Sequence, residues 1–290
     1  MAFDKIIKGI PNTITTMNLL SGGVSVALSF SGRFELAFIL ILLAAVFDFF
    51  DGFSARLLHA YSPLGKELDS LADMVSFGLA PAVMLSCKFS LLLRQANGLS
   101  LPGDGTSIAS LANDAQSVLD GGIASCGGLV PIFGAGVISF WALVPLLIAA
   151  FSGLRLAKFN IDERQSENFI GLATPSCAMI LGSMICLMER YAGFNDFFLN
   201  HLLIVPAIVI VLSYLLVSEI PMFSFKFKSM GWAANAPRFV FLAAVLVLVI
   251  FVASAGLNWC VVVFFAMLMY LAMNLWKCMR SRKDSKLKKN

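Results

Sequence analysis

Apolar runs long enough to cross a bilayer alternate along this chain with short polar breaks. Before the first run, Phe3, Ile6, Ile7 and Ile10 share one helical face while Asp4, Lys5 and Lys8 lie elsewhere. That pattern predicts a short amphipathic helix in the membrane interface rather than a signal peptide, because no small-residue cleavage site follows it. Pro11-Asn12-Thr13-Ile14-Thr15-Thr16-Met17-Asn18 opens the first span, which reaches about Phe30 before the turn Ser31-Gly32-Arg33. A second span is predicted from about Glu35 to His59 and a third from about Gly65 to Leu93. Ser62-Pro63 breaks the chain between them, since a residue before proline is pushed out of the helical region. Residues 94–130 turn to Gly, Ser, Asn and Asp and predict a long loop, with a short helix over Ser107 to Leu119 at most. Further spans follow at about 131–151, extending as helix toward Leu156, then 175–192, 199–220, 238–255 and 258–277. The expected fold is an all-α, polytopic transmembrane bundle of about eight spans with an N-terminal interfacial helix. No internal repeat or second soluble domain is visible.

Composition strengthens the membrane reading. A chain of 290 residues with 26 Phe and a mean hydropathy of +0.87 must place most of its surface in lipid. The net charge of +4 conceals an asymmetry. With eight spans both termini share a side, and that side collects 17 of the 21 Lys and Arg, including the tail from Lys277 to Lys289. The other side has Arg33, Arg94 and Arg190, with Lys88 inside the third span. Such a bias predicts a cytoplasmic-membrane protein with termini and acids facing the cytoplasm. The basic tail reads as a topology anchor that touches anionic lipid, and no nucleic-acid partner is expected. Six scattered cysteines show no metal spacing and read as packing residues.

The unusual chemistry lies between residues 48 and 73. Asp48 and Asp51 are three apart and Asp69 and Asp73 four apart, so on helices each pair shares a face. Asp51 and Asp69 each lie roughly 10 Å from the intervening turn, which puts both pairs at similar depth just inside one membrane face. Four such anions need a cation that Arg56 and Lys66 are too few to supply. Oxygen donors without His or Cys suit a hard divalent ion, Mg²⁺ or Mn²⁺, and four carboxylates leave room for two ions. Gly52 and Gly65 open the backbone beside the acids, and Arg56 offers a phosphate-matching fork. These are the parts of a phosphoryl-transfer site.

The run Asp48-x2-Asp51-Gly52-x2-Ala55-Arg56-x8-Gly65-x3-Asp69-x3-Asp73 resembles the signature of the CDP-alcohol phosphotransferase family at all eight of its fixed positions. The resemblance covers about residues 11–220, a helical core; residues 1–10, the two additional spans within 221–277 and the tail 278–290 fall outside it. It implies that Asp48, Asp51, Asp69 and Asp73 hold metal, that Asp73 is also the general base, and that Gly52, Ala55, Arg56 and Gly65 line a nucleotide site. Position by itself does not single out Asp73. A Pro-Asn-x-x-Thr element resembling Pro11 to Thr15 often lines that pocket in the family, which adds Asn12 and Thr15.

The shared signature does not choose an acceptor among the family's head groups. Arg155-Leu-Ala-Lys158-Phe-Asn160 followed by Phe169-x-Gly171-Leu172-x-Thr174-Pro175 resembles a segment of the membrane-embedded phosphatidylserine synthases. This likeness implies CDP-diacylglycerol and L-serine as substrates, with phosphatidylserine and CMP as products. Physically, Arg155 or Lys158 suits a carboxylate and Asn160 an ammonium or hydroxyl. Glycerol 3-phosphate or inositol phosphate would want a similar basic pocket, so charge does not exclude them. Paired intramembrane acids also occur in divalent-cation transporters. Here they cluster near one face with Arg56 beside them, which argues against an ion path. The hydrophobic faces of so small a bundle leave room for a homodimer.

Overall fold

A computed structural model describes residues 2–96, 140–161, 169–222 and 232–287 of the chain. The expected helix at Ser107 to Leu119, Cys126 and most of the 94–130 loop lie outside the described residues. Helix α1 spans Ala2–Phe30 and α2 Phe34–Leu57, and the two form a tight hairpin. Helix α1 runs unbroken through Pro11, so the interfacial segment and the first span are one helix. The proline removes only one backbone donor, and the hydroxyls of Thr13, Thr15 and Thr16 bond back to the carbonyls of Gly9, Pro11 and Asn12. The hairpin is fixed by Ser25 Oγ donating to the Ala37 carbonyl at 2.8 Å. Phe34, Ala37, Phe38, Ile41 and Ala44 form the buried stripe of α2 at helical spacing, while Leu36, Ile39, Leu43 and Val46 face outward.

Helix α2 stops at Leu57, and His59 takes a positive φ of 49° in the turn. Ser62 then caps α3 (Pro63–Asp73): its Oγ accepts from Gly65 N at 2.9 Å, with Pro63 at the first helical position. One π-helical turn, Met74–Leu79, joins α3 to α4 (Ala80–Ala96). Such a turn rotates the face of the helix beyond it and often marks a functional site. Together 63–96 form the most enclosed span of the bundle.

After a 3₁₀ turn at Phe140–Leu143 come α5 (Leu146–Ile161), α6 (Thr174–Arg190), α7 (Ala192–Asn200), α8 (Ile204–Val217), α9 (Trp232–Ser254) and α10 (Cys260–Leu287). A two-residue antiparallel ladder, not expected from the sequence, pairs β1 (Phe169–Ile170) with β2 (Pro221–Met222). Gly171 follows it at φ +79°, and a Cβ there would stand 2.7 Å from the Leu216 carbonyl oxygen. Only glycine fits that approach, by which Gly171 N and Leu172 N bond to the carbonyls of Ile220 and Leu215. The Phe169-to-Pro175 segment is therefore pinned to the end of α8, and α6 starts from a fixed point.

The fold is a helical membrane bundle, as expected. Among the described residues five helices are long and apolar enough to cross a membrane, or six if α6 and α7, which meet at 109°, count as one span. The helix Ile204–Val217 has 14 residues, about 21 Å of helix against a hydrocarbon core of about 30 Å. The apolar stretch of α9, Arg238–Ser254, is also short. Of the fourth expected span, residues 131–139 lie outside the described residues, and the helix seen there extends to Ile161. At the end of the bundle away from the Asp residues, Lys88 meets Glu189 at 2.5 Å and Arg190 meets Glu35 at 3.1 Å, tying α4 to α6 and α6 to α2. Trp259, just before α10, stacks on Phe38 of α2 with ring centroids 5.5 Å apart.

Candidate metal and substrate site

Helices α2 and α3 run on either side of the Ser62-Pro63 break and turn their carboxylates toward each other. Asp48, Asp51 and Asp69 each offer an oxygen within 4.8 Å of the other two. Asp73 stands outside that trio, one helical turn beyond Asp69 on α3. Two carboxylate oxygens, Asp69 Oδ1 and Asp73 Oδ1, are buried with no hydrogen-bond partner. No lysine or arginine forms an ion pair with any of the four among the described residues. Two unit anions 4.8 Å apart repel by roughly 3 kcal/mol at an effective dielectric near 20, and three do so in every pair. The donor set is all oxygen, partly enclosed and short of positive charge. It fits a hard divalent ion, with Asp48, Asp51 and Asp69 as the residues that would hold it.

Supporting contacts come from α1. Thr15 Oγ1 donates to Asp51 Oδ2 at 2.6 Å, and both residues are buried. A Cβ on Gly65 would stand 2.9 Å from Asn12 Oδ1, so the bare backbone of Gly65 lets the Asn12 carboxamide lie against the start of α3. Gly52 differs: a Cβ there meets nothing within 4 Å, which leaves open space beside Asp51. Ala55 is half-buried on the same helix. Arg56 is exposed, its Nε donating to the Gly52 carbonyl at 2.9 Å, so it stands at the rim. All of these sequence-chosen residues therefore lie at one end of the α1–α2–α3 group.

The three residues of α5 separate. Arg155 is 7% exposed, and its Nε has no hydrogen-bond partner. Its guanidinium lies within charge reach of Asp73, Cys177 and Tyr270. Lys158 instead faces Glu219 at 3.7 Å, with both side chains well exposed. Asn160 Nδ2 donates to Ser70 Oγ at 3.0 Å, tying α5 to the turn of α3 between Asp69 and Asp73. Only Arg155 turns a free donor inward.

Sequence reasoning missed several buried polar groups. Asn18 is fully buried with neither amide atom partnered; it follows Thr15 by three positions on the same face of α1. Its backbone carbonyl accepts from Ser76 Oγ at 2.9 Å, within the π-helical turn. Ser152 is likewise fully buried, as is Thr174 of the Phe169–Pro175 segment already singled out, and neither hydroxyl has a partner among the described residues. Helical spacing from Thr15 and Arg155 was the signal available for Asn18 and Ser152. Nothing in the chain pointed to Tyr270, whose span looked like plain packing.

Residues 8–99 match the CDP-alcohol phosphatidyltransferase family. The chain is similar to the archaetidylserine synthase of Methanothermobacter thermautotrophicus, 30% identical over 179 residues, which is 60% of this chain and 56% of that one. It is 28% identical over 221 residues to the CDP-diacylglycerol–serine O-phosphatidyltransferase of Bacillus subtilis, covering 75% of this chain and 91% of the relative. With the enzyme of the same name from Mycobacterium bovis it shares 28% identity over 254 residues, 85% of this chain and 69% of the relative.

Proposed function

We propose that this chain, whose residues 8–99 match the CDP-alcohol phosphatidyltransferase family, transfers the phosphatidyl group of CDP-diacylglycerol to the hydroxyl of L-serine. Phosphatidylserine forms and CMP leaves. The carrying observation is the pairing of a converging Asp48–Asp51–Asp69 trio with a buried Arg155 whose Nε has no hydrogen-bond partner among the described residues. One element suits a diphosphate with its divalent ions, the other an acceptor bearing a carboxylate. The names of the relatives, which are serine and archaetidylserine enzymes, support the same acceptor.

A divalent ion on the trio, Mg²⁺ or Mn²⁺, would supply positive charge against the diphosphate and the leaving CMP. The protein's own groups do the rest. Thr15 holds Asp51 in place, and Asn12, Gly52, Ala55, Arg56 and Gly65 border the nucleotide. The serine hydroxyl attacks the phosphorus that carries diacylglycerol, the bond to the CMP phosphate breaks, and Asp73 takes the hydroxyl proton. Arg155 holds the serine carboxylate. An apolar groove of about 380 Å³ between α1 and α2, lined by Ile14, Phe47, Phe50, Phe53 and Leu57, suits an acyl chain. The active site and both termini face the cytoplasm, in keeping with the Lys and Arg bias.

CMP release from CDP-diacylglycerol, measured in parallel with L-serine, glycerol 3-phosphate and inositol phosphate, tests the reading. Turnover with serine alone is expected. Turnover confined to glycerol 3-phosphate would overturn it.

A further inference from the structure

The junction between α3 and α4 is wound differently from the helices it joins. Residues Met74–Leu79 form a single π-helical turn, in which Ala80 N bonds to the Val75 carbonyl five residues back. The turn begins directly after Asp73, and Asp69 lies one turn earlier on α3. A π turn holds one residue more than an α-helical turn, and each residue of an α-helix advances the chain by about 100°. Relaxed to α-helix, this turn would rotate Asp69 and Asp73 by about that angle relative to α4, away from Asp48 and Asp51 on α2. Because π turns are rare, the contacts that hold this one decide where the acids of α3 point.

Two helices pack against it. On one side α1 comes into backbone contact: a Cβ on Gly22 would stand 2.4 Å from Ser76 Oγ and 2.7 Å from Ser76 Cα. Ser76 is fully buried, and its Oγ donates at 2.9 Å to the carbonyl of Asn18, one turn before Gly22. On the other side a Cβ on Gly78 would stand 3.0 Å from Ser152 Cβ of α5. Another turn back along α1, Thr15 bonds to Asp51. One face of α1 thus grips both halves of the acid cluster, α2 through Thr15 and the turn behind Asp73 through Asn18 and Gly22. We propose that Gly22 and Ser76 are positioning residues: by clamping the π turn to α1 they fix the angle at which α3 presents Asp69 and Asp73 to the acids of α2. The inference rests on the proposed function, in which Asp69 helps to hold the ion and Asp73 takes the proton.

Purified full-length variants are compared by Mn²⁺ binding without substrate, followed by electron paramagnetic resonance, and by CMP release. Ser76→Ala deletes the bond and adds no bulk. Its Mn²⁺ affinity should fall by about three- to tenfold, and kcat at saturating Mn²⁺ should fall as well, since Asp73 turns with Asp69. Gly22→Ala forces α1 away from the turn and should lower the affinity by more than about tenfold. If that variant misfolds, Ser76→Ala carries the test. Gly23→Ala is the control: a Cβ on this neighbouring glycine meets nothing within 4 Å, so the variant should match the wild type on both measures. Contacts that served packing alone would lower the unfolding midpoints of Ser76→Ala and Gly22→Ala and leave Mn²⁺ affinity and kcat of the folded protein at wild-type values. That result overturns the inference, as does an equal loss in Gly23→Ala. Wild-type protein that binds Mn²⁺ yet turns over glycerol 3-phosphate and not serine overturns the serine assignment alone.

Discussion

Replacing Thr15 by valine probes the proposed metal site through a residue outside the Asp48–Asp51–Asp69 trio. The change conserves shape and deletes one hydroxyl. That hydroxyl donates to Asp51 Oδ2 at 2.6 Å, in a position where neither residue is open to water. A hydrogen bond to a charged acceptor contributes about 1.5–3 kcal/mol, and loss of an outer-shell partner lowers metal affinity by about 10- to 100-fold. The two figures agree, because each 1.4 kcal/mol is a factor of about ten. Binding of Mn²⁺ to purified protein without substrate, followed by electron paramagnetic resonance, should weaken within that range. The ion concentration giving half-maximal CMP release should rise in parallel. Thr15→Ser should behave as wild type. Thr16→Val, which removes an exposed hydroxyl bonded only to the Asn12 carbonyl, should leave Mn²⁺ binding alone. Wild-type Mn²⁺ affinity in a folded Thr15→Val protein would refute the assignment of Asp51 as a ligand held in place by α1.

Asp73→Asn should lower turnover by about 10²- to 10⁴-fold, the usual worth of a positioned base, while Mn²⁺ binding persists on the remaining trio; wild-type rates would remove Asp73 from that role. Gly171→Ala forces a side chain to φ +79° and against the Leu216 carbonyl, and should cost at least about 1–3 kcal/mol, read as a lower unfolding midpoint in detergent. The Lys88–Glu189 pair should respond asymmetrically. Glu189→Ala strands a lysine whose side chain is 9% exposed and should destabilise by about 2 kcal/mol or more, whereas Lys88→Met leaves a glutamate that still reaches water and should cost less. Equal unfolding midpoints for those two variants would show that burial of Lys88 is not what makes the pair matter.

The correspondence between chain and structure is uneven, and the unevenness has a cause. Spacings of three and four residues, a proline at the break and long apolar runs were enough to bring Asp48, Asp51 and Asp69 to one end of two adjoining helices. Helix periodicity is a local property, and a two-helix hairpin carries local geometry into three dimensions with little freedom. Asn12 and Thr15 entered through the family resemblance of the Pro11–Thr15 element, and the short α1–α2 turn carries Thr15 to Asp51. The extents of the helices were less so: α1 continues through Pro11, and Ile204–Val217 is too short for a full span.

What the chain by itself determined, then, is a helical membrane protein with a cluster of carboxylates at one end and a family signature around it. The tertiary structure decided which of Arg155, Lys158 and Asn160 points inward, because that depends on Glu219 and Ser70 lying within reach of the latter two. It also decided that the hydroxyls of Ser152 and Thr174 are buried without partners among the described residues. Whether a polar group is satisfied depends on neighbours from distant parts of the chain. No pattern along a single helix records who those neighbours are.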